Sequence, residues 1–102
     1  MTTTPSLHGE YKMPGGKLIV IDLELREGRL ADVQLSGDFF LEPDAALRAI
    51  DDALDGLPAD AGEATLASAV RARLPAGVMM YGISPEAVAV AVRRAIDQAP
   101  RA

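Results

Sequence analysis

At 102 residues, 49% hydrophobic and 25% charged, the chain has the size and composition of one globular domain. A formal net charge of −5 speaks against nucleic acid and anionic membrane surfaces as partners, because both reward a basic patch. The lack of cysteine excludes disulfides, a thiol nucleophile, thiolate zinc sites and cysteine-held iron–sulfur clusters.

Met1 to Leu7 is polar, with three threonines and Pro5, and has neither a basic start nor an apolar run. It reads as a flexible tail (residues 1–7) rather than a leader peptide. His8 to Met13 is a weak strand, and Pro14-Gly15-Gly16 turns the chain. Lys17 to Arg26 is the strongest strand. Ile19, Ile21, Leu23 and Leu25 alternate with Asp22, Glu24 and Arg26, the period of a half-buried strand. Glu27-Gly28 suits a tight hairpin turn. Arg29 to Ser36 follows, with Ala31, Val33 and Leu35 expected inward. Alternation breaks at Gly37, which suggests a bulge or bend. Phe39 and Phe40 are adjacent. Either both are buried at the junction of sheet and helices, or one caps the core while the other faces outward toward a partner.

Helical spacing begins at Pro43-Asp44. Leu47, Ile50 and Leu54 share a face with Ala46 and Ala53, and Gly56 stands where a helix ends. After a loop over Leu57 to Gly62, a second helix runs from about Glu63 to Leu74. Its stripe is Leu66, Ala69, Val70 and Leu74, and Pro75 stops it. Met79-Met80-Tyr81 suits either gap filling or an adaptable contact surface. Ser84-Pro85-Glu86 is a strong helix start, with Val88, Val92 and Ile96 facing inward and the end of the domain near residue 98. Residues 99–102 are a short C-terminal tail. The order β-β-β-α-α-α predicts an α+β fold: a three-stranded antiparallel sheet with about three helices on one face.

The chemistry-bearing residues are few. His8 is the sole histidine and has no evident catalytic partner. Asp51, Asp52 and Asp55 cluster on a predicted helix without a histidine, as a solvated face does. No bound metal is expected from these residue types. From Glu42 to Glu63 seven acids face one base, Arg48, so anionic ligands should avoid that flank. The contrast is Lys12-Met13-Pro14-Gly15-Gly16-Lys17, where two lysines bracket a glycine pair. Glycines admit a close backbone or phosphate, and lysine supplies charge, although the glycine spacing is not that of a P-loop. An ordinary hairpin turn with solubilising lysines accounts for the same residues.

Two stretches in this order carry a resemblance: H-G-E-Y-K-M-P-G-G-K-L at His8 to Leu18, and S-G-D-F-F-x-E-P at Ser36 to Pro43. With the intervening hairpin, the D-x-A-L-D-G ending of the first helix and the final helix, the chain resembles the C-terminal accessory domain of bacterial and archaeal lipoate–protein ligases. The similarity spans roughly His8 to Ile96. It implies a domain over residues 8–98 that shares its fold with sulfur-acceptor and iron–sulfur scaffold proteins, whose cysteines are missing here. It further implies a non-catalytic accessory subunit. Such a subunit acts with a catalytic large subunit, as a heterodimer, in the ATP-dependent activation of lipoate to lipoyl-adenylate ahead of lipoylation of carrier domains. No cofactor is then expected on this chain alone. ATP, magnesium and lipoate belong to the complex. Cytoplasm is the expected compartment. The residues matching the recurring pattern are Lys12, Gly15, Gly16, Lys17, Gly37, Asp38 and Phe39. These seven residues are expected to face the catalytic subunit and its nucleotide, the glycine–lysine turn foremost. A competing expectation is an autonomous binding or scaffold module of the same fold without a ligase role.

Overall fold

The structure is a computed structural model and describes residues 6–97. Strand β1 (Ser6–Lys12) pairs antiparallel with β2 (Leu18–Arg26), which pairs antiparallel with β3 (Arg29–Gly37), in the spatial order β1-β2-β3. Residues 40–42 form β4 (Phe40–Glu42). Helices α1 (Ala45–Leu54) and α2 (Glu63–Arg73) follow, then β5 (Met79–Tyr81) and α3 (Pro85–Asp97). Helix α3 lies on β1 and β2, α1 lies against β3, and α2 packs on both helices. The α+β reading therefore holds: a three-stranded antiparallel sheet with three helices. A second sheet was not expected from the sequence: β4 and β5 pair antiparallel as a two-stranded ribbon.

The strand alternation in β2 translates directly into burial. Ile19, Ile21 and Leu23 are buried, and Leu25 packs at the core margin. Burying each such side chain contributes roughly 1.5–3 kcal/mol. The expected face of β3 needs correction. Leu30, not Ala31, is the buried residue, together with Val33 and Leu35. The register explains why: Asp22 pairs with Gln34 but Glu24 pairs with Ala31, so β3 carries one extra residue between those pairs. Asp32 takes up that residue in a left-handed conformation, φ 50°. The bulge switches the inward face from even positions before it (Leu30) to odd positions after it (Val33, Leu35). The tail boundary also moves. Ser6 and Leu7 already belong to β1, and Leu7 is buried. The remainder of the expected N-terminal tail, residues 1–5, and residues 98–102, which include the C-terminal tail, lie outside the described residues.

Helix α1 buries Ala46, Ile50, Ala53 and Leu54, while Leu47 faces out, contrary to the expected stripe. In α2 the buried set is Leu66, Ala67 and Val70. Helix α3 starts as its sequence says: the Ala87 N–H donates to Ser84 Oγ at 3.1 Å. Its Ala87, Val88, Ala89, Ala91, Val92 and Ala95 are all buried.

Asp51 and Asp55 are not merely a solvated face. Strand β3 is an edge strand, with N–H groups turned away from β2. The Leu35 N–H donates to Asp51 Oδ1 at 3.0 Å and the Val33 N–H to Asp55 Oδ1 at 3.4 Å. Four residues along a helix advance ~6 Å and two along a strand advance ~6.6 Å, so an i, i+4 pair of carboxylates matches alternate strand amides. The sheet edge is thereby satisfied by side chains rather than left open. Burial, opposed by the Leu35 hydrogen bond and reinforced by Asp52 and Asp55, pushes the Asp51 carboxyl up to about 6 from its ordinary 3.8. The folded chain then binds this proton more tightly than the unfolded chain. Its contribution to stability decreases as pH rises from 3.8 to about 6 and levels off above. Asp51→Asn keeps an acceptor for Leu35 but removes the titration. Denaturant melts between pH 4 and 7 should show the variant gaining on the native protein as pH rises. A difference that does not change with pH would contradict the raised value.

Candidate functional site

The glycine–lysine turn joins β1 to β2 at one end of the sheet. It is closed by the Gly16 N–H donating to the Met13 carbonyl at 2.8 Å. Gly15 has φ 69° with open space around it. Lys12 and Lys17 are exposed, and neither enters an ion pair among the described residues. The stem of Lys17 lies on Gly82, directly after β5. A Cβ on Gly82, where φ is 75°, would stand 2.4 Å from Lys17 Cγ and 2.9 Å from Lys17 Cβ. A side chain there would displace the lysine, so Gly82 holds its aliphatic stem while the ammonium stays in water. Gly82 carried no signal in the sequence reading, because its contact partner is 65 positions away (82 − 17).

The second motif closes on the same place. Gly37 pairs with Ile19, and its α-carbon faces the Leu18 carbonyl so closely that a Cβ would lie 2.2 Å from that oxygen. Asp38 then takes both backbone groups of Leu18. Its Oδ1 accepts the Leu18 N–H at 2.8 Å, and its own N–H donates to the Leu18 carbonyl at 3.3 Å. Lys12 pairs with Leu18 across the other side of β2. Lys12, Gly37 and Asp38 thus lie beside Leu18, with Gly15 and Gly16 in the adjoining turn and the Phe39 ring against Gly37. The chain uses Asp38 as a clamp on the backbone, so that carboxylate is engaged rather than offered to a ligand.

Phe39 turns inward against the core and Phe40 is 50% exposed, so the two rings part company. The β4–β5 ribbon makes this possible. Phe40 pairs with Tyr81, Leu41 with Met80 and Glu42 with Met79. Alternation turns Leu41 and Met80 toward the core and leaves Phe40, Tyr81 (56% exposed) and Met79 (47%) on the outer face. The Phe40 and Tyr81 rings stand 5.8 Å apart, tilted by 48°. Strands of three residues are too short for alternation to be read, which is why the ribbon was missed.

The rest of the surface is a different environment. On the open face of the sheet, His8 Nδ1 lies 2.7 Å from Asp22 Oδ1 and His8 Nε2 lies 2.6 Å from Glu10 Oε2. Only the imidazolium donates to both carboxylates, and these hydrogen bonds raise the His8 pKa from 6.5. This is a cross-strand ion pair, with no nucleophile beside it. Arg94 donates to the Glu10 carbonyl at 3.1 Å and covers the Tyr11 ring at 4.9 Å, tying α3 to β1. Among the described residues, no group of three or more His, Cys, Asp or Glu is placed to hold a metal ion. No described helix is long and apolar enough to cross a membrane. The arrangement at the lysine end has free ammonium charge, accessible backbone and exposed rings, but no enclosed cleft. Such a surface can contact a partner or an anion.

No protein-family model matches the chain, and no curated protein matches it. Among solved structures it is similar to a chain of an archaeal lipoylation system, a bi-partite lipoate protein ligase and its lipoyl domain from Thermoplasma acidophilum. The identity is 27% and the TM-score 0.63, over 91% of this chain and 98% of that one. The match is nearly complete on both sides, so the matched chain is itself a small polypeptide of about this size. The resemblance carried by the His8 to Leu18 and Ser36 to Pro43 motifs therefore extends to the whole fold.

Proposed function

We propose, starting from the likeness to the lipoate–protein ligase accessory domain, that this chain is the non-catalytic accessory subunit of a two-part lipoate–protein ligase. It works as a heterodimer with a catalytic large subunit that activates lipoate with ATP to lipoyl-adenylate, before the lipoyl group passes to a lysine of a carrier domain. The observation that carries this reading is the near-complete, two-sided match to a small chain of such a system. The open geometry of the lysine end agrees with it: the surface suits contact and lacks catalytic groups. On this reading lipoate, ATP and magnesium are held by the large subunit. The protein works in the cytoplasm, where lipoyl carrier domains would be its indirect partners.

In the complex, Lys12, Gly15, Gly16 and Lys17 face the large subunit and its nucleotide, and Gly37, Asp38 and Phe39 hold that turn in place. Activation crowds the α-phosphate with negative charge as the lipoate carboxylate attacks and pyrophosphate leaves, and a nearby ammonium stabilises that charge. The test pairs this chain with the ligase large-domain chain of the same source and measures lipoate-dependent pyrophosphate release. The large chain is expected to release little alone and to gain activity with this chain added. Full activity without it would defeat the accessory role.

A further inference from the structure

The chain has four aromatic residues, Tyr11, Phe39, Phe40 and Tyr81, and places two of them in the open. Those two form a ring pair on the outer face of the β4–β5 ribbon, with Met79 beside them. Aromatic residues and methionine are enriched at protein contacts, and rigid rings lose little entropy when they dock. The ribbon does not stand alone. Along one side it runs into Gly82 and the stem of Lys17. Leu41, on the opposite face of the ribbon, lines a groove with Leu35, Ser36, Gly37, Phe39, Asp44 and Leu47, and Leu47 is the residue of α1 that faces out.

We infer that the outer face of the β4–β5 ribbon is the anchor by which this chain docks on the catalytic large subunit, with Phe40 and Tyr81 inserted into an apolar recess of that partner. The inference rests on the proposed ligase role. It adds a division of labour to it: the ribbon supplies affinity, and the lysine turn next to it supplies charge.

Two observations choose this occupant over a second copy of the chain. Two copies each carrying −5 repel as wholes. A two-fold contact centred on this end would also set Lys12 and Lys17 of one copy against the same lysines of the other. A different partner that holds an anion of its own at this end can sit against these two ammoniums, which enter no ion pair among the described residues.

The experiment measures the dissociation constant between this chain and the ligase large-domain chain of the same source, and then pyrophosphate release at saturating small chain. The variants are the double substitution Phe40→Ser with Tyr81→Ser, the single substitution Met79→Lys, and Lys17→Ala. Because Phe40, Tyr81 and Met79 face solvent, circular dichroism and melting of the ribbon variants should match the native chain. The double variant should weaken binding by roughly tenfold to a hundredfold, as loss of hot-spot rings does, and recover native activity once saturated. Met79→Lys should weaken binding in the same direction. Lys17→Ala should bind nearly as the native chain does and remain slow at saturation. Native affinity in both folded ribbon variants would overturn the anchor. A native chain that does not bind the large chain at all would instead overturn the ligase reading beneath it. Self-association of the native chain that the ribbon variants abolish would reassign the surface to a second copy.

Discussion

Lys17→Ala is expected to lower lipoate-dependent pyrophosphate release by the paired subunits by roughly tenfold to a hundredfold, at or below the low end of the ~10²–10³-fold loss that follows removal of one preorganised donor from a developing anion. Two features make Lys17 the strongest candidate for this effect. It enters no ion pair among the described residues of a chain whose net charge is −5, so its charge is not already spent within the molecule. Its stem is also held against Gly82, and the residue after it is clamped by Asp38, so the turn is positioned before any partner arrives. Transfer of the lipoyl group from preformed lipoyl-adenylate should be nearly unchanged, because that step uses the carrier lysine and the large subunit's pocket. Folding should be little affected, since an exposed side chain in a turn contributes little to stability. Native rates of pyrophosphate release from well-paired Lys17→Ala subunits would remove the turn from the mechanism.

Gly9→Val is expected to produce the largest loss of stability of any single substitution in β1. Gly9 is buried, and β1 there meets the backbone of α3 directly. A Cβ at Gly9 would stand 2.3 Å from the Ala91 carbonyl oxygen, 2.5 Å from the Ala95 nitrogen and 2.9 Å from the Ala95 α-carbon. These are backbone atoms, so no flexible side chain can yield. Helix α3 must lift from the sheet, and Val88, Val92 and the Arg94 hydrogen bond to Glu10 lift with it. Overpacking of a tight core costs about 1–3 kcal/mol and more where backbone must move, and each kcal/mol is worth about 4–8 °C of melting temperature in a domain of this size. A drop of roughly 10 °C or more is expected for valine, and a smaller drop for Gly9→Ala. Thermal melts followed by circular dichroism decide it. An unchanged melting temperature for Gly9→Val would mean that α3 does not rest on β1 at this point.

The two motifs that carry the family resemblance acquire separate physical reasons in the structure. Gly9, in the first, is where helix and strand backbones touch. In the second, Asp38 completes the hydrogen bonding of Leu18, where the ladder of β2 begins, and Gly37 leaves room for the Leu18 carbonyl. Lys12 and Lys17 are different: nothing within the described chain uses their charges. Steric and backbone roles explain why the glycines and the aspartate stand where they do, whereas the two lysines carry charge into solvent, as a solubilising turn or a partner-facing one would.

The local pattern of the sequence determined the elements of the fold. Alternation in Leu18 to Arg26, the Glu27-Gly28 turn, the Ser84-Pro85-Glu86 cap and helical spacing in α3 each act within a few residues, so they are legible without a third dimension. Tertiary structure alone decided what depends on distant partners. The bulge at Asp32 exchanged Ala31 for Leu30 on the inner face, because register is a property of two strands and not of one. Asp51 and Asp55 became caps of an edge strand because α1 comes to rest antiparallel beside β3. The ribbon of β4 and β5, and with it the outward turn of Phe40 and Tyr81, exists only because segments some forty residues apart meet. Lys17 was visible as a charge beside two glycines. That Gly82, directly after the β5 strand carrying the exposed Tyr81, holds it followed from packing, since the contacts that set the direction of a side chain come from residues the local sequence does not contain.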